Sequence, residues 1–143
     1  MPLIQVTASQ GTLDNKDRDV FMSQLSNAVL KSEGAPIDDP GAQSLVWAYY
    51  DEKPEGTCYV GGKNLDQPPL VIAVTTPEGA LNTATRKSLV EEIGRIVDDI
   101  VGPFEGRLNH WTMLHELDEG SWAGSGQVFP LAAIQAAMNI KAA

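Results

Sequence analysis

The sequence predicts an α+β domain in which duplicated β-α-β units form a four-stranded sheet with two helices on one face, followed by a C-terminal hairpin and short helix. Three observations carry this. A run of strand-forming residues, Pro2 to Ala8, gives way at Gly11-Thr12-Leu13-Asp14 to an amphipathic helical pattern. The same succession returns at Leu70 to Thr75 and Gly79-Ala80-Leu81-Asn82. A shift of 68 positions then lays Val6 on Val74, Gly11 on Gly79, Leu13 on Leu81 and the cap Asp14 on Asn82 without a gap.

The first helix runs from Asp14 to about Ser32, with Phe21, Leu25, Ala28 and Val29 at i, i+4, i+7 and i+8. Their counterparts under the shift are Leu89, Ile93, Ile96 and Val97, so both helices present an equivalent apolar stripe. Gly34 and Pro36 end the first helix, and Asp38-Asp39-Pro40-Gly41 reads as a loop. Leu45 to Tyr50 is strand-like, Asp51 to Gly56 a turn, and Thr57 to Val60 a short strand containing Cys58. The second helix extends to about Val101, and alternation in the strand His110 to Leu117 places Trp111, Met113 and His115 on one face. Trp122 to Phe129 is glycine-rich and hairpin-like, and Pro130 introduces a helix with Leu131, Ile134 and Met138 at helical spacing. A helical crossover within each unit implies parallel strands. The expected organisation is one domain over 1–143, with pseudo-repeats of approximately 2–62 and 70–129. Two layers leave one sheet face uncovered, which implies self-association.

Composition narrows the function. The formal net charge is −9 and the sequence pI about 4.5, which argues against a nucleic-acid surface. No stretch approaches the roughly 18 apolar residues of a membrane span, and the first residues lack the pattern of a signal peptide. A cytoplasmic protein without a membrane partner is expected. Cys58 is the single cysteine, so no intrachain disulfide forms, and a small buried role is expected for it. Two histidines and one cysteine do not compose a metal site, and no cofactor is expected.

Pro2 is the residue with chemical potential. If Met1 is removed, a secondary amine sits at the end of a strand, and desolvation lowers an amine's pKa toward the range of a neutral-pH base. With this start, the duplicated unit, and Glu116-Leu117-Asp118-Glu119-Gly120-Ser121-Trp122, the chain resembles the tautomerase superfamily, including 4-oxalocrotonate tautomerase. Ser9-Gln10, Pro54-Glu55-Gly56, Val60-Gly61-Gly62 and Ile96-Val97-Asp98-Asp99 are similar to the cis-3-chloroacrylic acid dehalogenase group, which is also closer in length. The resemblance implies a homotrimer, a small-molecule substrate, and Pro2 as catalytic proline. In tautomerases that proline is a general base; in dehalogenases and hydratases it is a protonated acid.

Position by position, much of the family's polar machinery is absent. The dehalogenase arginines fall on Pro77 and Ala80, the helix histidine on Val29, the strand tyrosine on Met113 and the glutamate near Gly124. The arginines of 4-oxalocrotonate tautomerase fall on Thr12 and Trp111, and its aromatic wall is matched at Trp122. Pro, Ala, Met and Val cannot make the bidentate carboxylate contacts of arginine. Enolisation needs less: a base, a desolvating pocket and a donor to the oxyanion. The expected activity is therefore proline-dependent keto–enol tautomerisation of small, aromatic or apolar carbonyl compounds. Trp122, Trp111, Met113, His115, Thr76 and Asn82 are the expected substrate-binding residues, and Trp47 is expected in the core or an interface. The alternatives are a hydratase, dehalogenase or decarboxylase-type lyase on unsaturated or 3-oxo acids, and a non-catalytic trimer. Arg107 and Lys63 are the cations to examine for a replacement carboxylate clamp, though their loop settings favour solvent exposure.

Overall fold

The computed structural model describes residues 1–141. Strand β1 (Leu3–Ser9) leads into helix α1 (Asn15–Ser32), a short helix α2 (Pro40–Leu45) and strand β2 (Trp47–Lys53). A two-residue ribbon, β3 (Tyr59–Val60) with β4 (Lys63–Asn64), precedes strand β5 (Leu70–Pro77). Helix α3 (Thr83–Ile100) and strand β6 (His110–Leu117) complete the second unit. The hairpin β7 (Ala123–Gly124) and β8 (Gln127–Val128) and the helix α4 (Leu131–Ala137) follow.

The four long strands form one sheet in the order β2-β1-β5-β6. Each unit's own strands are parallel, β1 with β2 and β5 with β6, and the units join through antiparallel β1 and β5. Both turns into the long helices use a glycine with positive φ, 84° at Gly11 and 85° at Gly79, a conformation that L side chains rarely adopt. Asp14 then caps α1 by accepting from the Asp17 N–H, and Asn82 caps α3 in a reciprocal capping box with Thr85.

The core lies between one sheet face and the two long helices. Ile4, Val6, Ile72 and Val74 point inward from the central strands. They meet Phe21, Leu25 and Val29 of α1 and Leu89, Ile93 and Val97 of α3, the two stripes expected from the sequence. A second apolar cluster forms where Leu30 and Ala42 meet Ile134 and Met138 of the C-terminal segment, with Met1, Trp122 and Phe129 packed against it.

The other sheet face is uncovered. Trp47 and Tyr49 of β2 and Trp111 and Met113 of β6 stand exposed on it, Trp111 at 65%. Cross-strand register puts Trp47, Leu3, Thr75 and His115 in one row, and Tyr49, Gln5, Ala73 and Met113 in the next.

Three sequence expectations need correction. Residues Pro40 and Gly41 are not loop but open α2, because Pro40 supplies a helix-ready φ at the first position and Asp39 accepts from the Ala42 N–H. The strand expected from Leu45 begins at Trp47 and runs to Lys53, since Leu45 closes α2 and the parallel ladder with β1 carries on through Asp51. Cys58 is half-buried and outside any strand, because only Tyr59 and Val60 pair in that ribbon.

The core and cap differ in what they contribute. Phe21→Ala is expected to lower the unfolding free energy by about 3–5 kcal/mol through the cavity it leaves, whereas Asn82→Ala is expected to cost about 1 kcal/mol. Urea unfolding of both variants checks the contrast.

Candidate active site

Pro2 precedes β1 and is buried at the end of the sheet. Its carbonyl accepts from the Trp47 N–H at 3.1 Å, which ties the chain start to β2. On the other side Leu3 lies opposite Thr75, so the next residue of β5, Thr76, comes alongside Pro2. The end of β6 arrives at the same edge, with Leu117 paired to Pro77. Hairpin β7–β8 and helix α4 then roof this edge. The hairpin turns at Ser125 and Gly126, both with positive φ, as a two-residue hairpin turn requires.

Between sheet edge and roof is a cavity of about 570 Å³. Pro2, Trp47, Leu117, Trp122, Phe129 and Ile134 are among its walls. Hydroxyl groups on its lining come from Ser121 and Ser125, and no arginine, lysine or histidine among the described residues lines it. A cavity of this size accommodates a small aromatic molecule, and its walls favour apolar surface.

Met1 also lines the cavity. Its amine donates to the Met138 sulfur at 2.9 Å and lies 3.9 Å from Glu33 Oε2. Glu33 is the C-cap of α1, where the negative end of the helix dipole already disfavours a carboxylate. Its side chain is only 1% exposed, and Oε1 has no hydrogen-bond partner. Burial pushes the Glu33 carboxyl up to about 7, with the charge on the adjacent amine pulling the other way. The same burial lowers the amine below its ordinary 8.0, opposed by the charge on Glu33. With Met1 attached, the Pro2 nitrogen is a tertiary amide and has no basic lone pair.

Neither a family model nor a curated protein sequence matches the chain. Solved structures do. An asymmetric trimer of a fused 4-OT, F6, is 18% identical, with 88% of this chain and 94% of that one covered at a TM-score of 0.73. Pt0534, inactivated by 2-oxo-3-pentynoate, is 20% identical over 92% and 98% at 0.74. N1, a member of the cis-3-chloroacrylic acid dehalogenase family, is 16% identical over 90% and 83% at 0.73. The chain has the tautomerase-superfamily fold. The macrophage migration inhibitory factor of Toxoplasma gondii also shares it, at 15% identity and a TM-score of 0.67.

Within this tautomerase-superfamily fold, the residues singled out from sequence separate into groups. Pro2 and Trp122 share the cavity. Thr76 is buried beside Pro2 but is not on the cavity lining. His115 is in the cross-strand row of Leu3, on the uncovered face. Met113 and Trp111 lie further along that face, Trp111 six residues from Leu117, roughly 20 Å along the strand. Asn82 is engaged as the α3 cap, its side chain accepting at 2.9 Å and its N–H donating at 2.8 Å. Arg107 packs on the Phe104 ring and donates to the Gln67 carbonyl, Lys63 is exposed in β4, and neither lines the Pro2 cavity. Glu116 pairs with Arg86. His110 Nδ1 is 2.6 Å from Asn109 Oδ1, and burial lowers its pKa.

Sequence reasoning missed Trp47, Phe129 and Glu33. Trp47 is 61% exposed yet walls the cavity, so it belongs to neither the core nor a sealed position within the protomer. For Glu33 a signal did exist: an acid at a helix C-terminus is at the wrong end of the dipole.

Glu33 makes stability depend on pH. The unfolded carboxyl ionises near 4.5 and the folded one near 7, so the folded chain retains a proton that the unfolded chain loses between those values. Stability falls as pH rises through that window, by on the order of 3 kcal/mol at 1.4 kcal/mol per unit. Glu33→Gln is therefore expected to be more stable than the parent by about 1–3 kcal/mol at pH 8, narrowing below about 1 kcal/mol at pH 5. Thermal unfolding at the two pH values tests it.

Proposed function

We propose that the protein is a proline-dependent keto–enol tautomerase of small, uncharged aromatic or apolar carbonyl compounds, acting as a cytoplasmic homotrimer without a cofactor. The carrying observation is Pro2 buried against an apolar, aromatic-walled cavity that no cationic side chain among the described residues lines. Removal of Met1 converts the Pro2 nitrogen into a secondary amine, and the burial that lowers the Met1 amine favours the neutral, basic form in its place. That nitrogen takes a proton from the carbon next to the substrate carbonyl. The C–H electron pair becomes the enol double bond, the carbonyl pair moves to oxygen, and the nitrogen delivers its proton there. Trp47, Trp122 and Phe129 exclude water from this exchange, and Ser121 and Ser125 offer donors to the oxygen. Trp111, Met113, His115, Thr76 and Asn82 contribute, in this reading, through the assembly or through the frame of the site.

That no cationic side chain among the described residues lines the cavity supports an uncharged substrate. A carboxylate carried into this cavity loses its water without gaining an arginine fork. That weighs against a lyase, hydratase or decarboxylase of unsaturated or 3-oxo acids, although the buried Glu33 supplies one group such an enzyme uses to activate water. A trimer that has lost activity is the remaining alternative, and a cavity beside Pro2 weighs against it.

Fused 4-OT neighbours are trimers, in both asymmetric and symmetric forms. The uncovered sheet face, with Trp47, Tyr49, Trp111 and Met113 exposed, supports the same assembly here. A single domain over 1–143, with pseudo-repeats of approximately 2–62 and 70–129, completes the reading.

Two experiments test it. Intact mass is expected to show loss of Met1, and the enol form of methyl phenylpyruvate is expected to ketonise with kcat/KM about tenfold above that of phenylpyruvate itself. Pro2→Ala is expected to lower the rate by at least about 100-fold; retained Met1, or turnover indifferent to the substitution, overturns the activity. Trp111→Glu is expected to turn a trimer into monomers by sedimentation, and an unchanged mass would remove the sheet face from the interface.

A further inference from the structure

Tautomerisation as described leaves one buried acid without a task. Glu33 sits at the end of α1 with Oε1 unpartnered and Oε2 3.9 Å from the chain's terminal nitrogen. Met1 lines the cavity, and its amine lies 3.9 Å from Glu33 Oε2. When Met1 leaves, the nearest amine is that of Pro2. The N–Cα, Cα–C and C–N bonds put it no more than about 4 Å from the former position, within the swing of a glutamate side chain.

We infer that, in the chain beginning at Pro2, Glu33 and the Pro2 nitrogen hold one proton between them, so that Glu33 is the positioning residue that sets the protonation state Pro2 presents to substrate. The inference rests on Pro2 being the reacting amine. In one arrangement the proton is on the carboxyl oxygen and the nitrogen lone pair is free. In the other, the O–H bond has broken, an N–H bond has formed, and an ammonium faces a carboxylate. Nothing else is consumed. Low dielectric disfavours the charged arrangement, which keeps the nitrogen available as a base. With Met1 in place, burial raises the pKa of the Glu33 carboxyl and lowers that of the Met1 amine, whose surroundings the Pro2 amine would enter.

Among the described residues, the terminal amine is the charged group that acts on Glu33. Helix α4 presents no ionisable side chain, and α2 presents none either. Asp39, the α2 cap, is committed to the Ala42 N–H and the Asn139 amide. Lys31, in the last turn of α1, reaches outward to Glu92 at 3.6 Å. Met138 offers only its sulfur.

The test uses full-length protein beginning at Pro2, with ¹⁵N-proline and carboxyl-¹³C-glutamate, titrated by NMR without substrate. Glu33 and Pro2 are expected to report the same two midpoints, as strongly coupled groups do. Glu33→Gln is expected to turn the Pro2 titration into a single step about one pH unit lower, because the charge that favours the ammonium is gone. Glu33→Asp, an acid with shorter reach, is expected to restore part of the shift. Separate, unrelated midpoints in the parent protein, or a Pro2 midpoint identical in Glu33→Gln, would overturn the pairing. If Glu33→Gln does not fold, the parent titration decides alone. A protein without tautomerase activity but with coupled titrations refutes the activity and leaves the pairing standing.

Discussion

The antiparallel pairing of β1 with β5 is the contact on which the rest of the structure depends. It welds two parallel strand–helix–strand units into one sheet and places both long helices on the same face. It also puts the start of β1 next to the end of β5, and β6, being parallel to β5, ends at the same edge. The residue before β1 is thereby surrounded by strand ends on both sides. Hairpin and α4 close over that edge, and the small cluster of Leu30, Ala42, Ile134 and Met138 holds the roof in place.

The chemistry of the site follows from what that roof is made of. Leu, Ile, Trp and Phe side chains exclude water without replacing its hydrogen bonds, so charged groups there are driven toward their neutral forms. The effect acts in opposite directions on an amine and a carboxylic acid. The chain terminus and Glu33 are the pair on which it acts. A carboxyl buried at the C-terminal end of a helix lowers stability as pH rises from about 4.5 to about 7. The cavity wall has no cationic side chain among the described residues, and Glu33 is an acid, so both features oppose a negative charge there.

Two surfaces meet near Trp47. Its position in β2 puts it on the uncovered sheet face, and its place at the strand's start puts it on the cavity wall. The uncovered face and the cavity therefore share a side chain. His115 lies in the same cross-strand row.

The sequence by itself determined the helices, their inward stripes, the long strands and the repeat, because periodicity, glycine turns and caps are local and leave a direct pattern. Phe21 and Leu89 are legible for that reason, as are Asp14 and Asn82. Pro2 was legible through its position, and Trp122 through resemblance. Only the tertiary structure decided which of Trp47, Trp111 and Trp122 reach the cavity. All three are aromatic residues in or near strands, and register at a sheet edge, set by pairing between distant segments, separates them. It alone also decided that Glu33 is buried against the terminus. Burial of that carboxyl depends on α4, about a hundred residues further along, and no local pattern encodes such a contact.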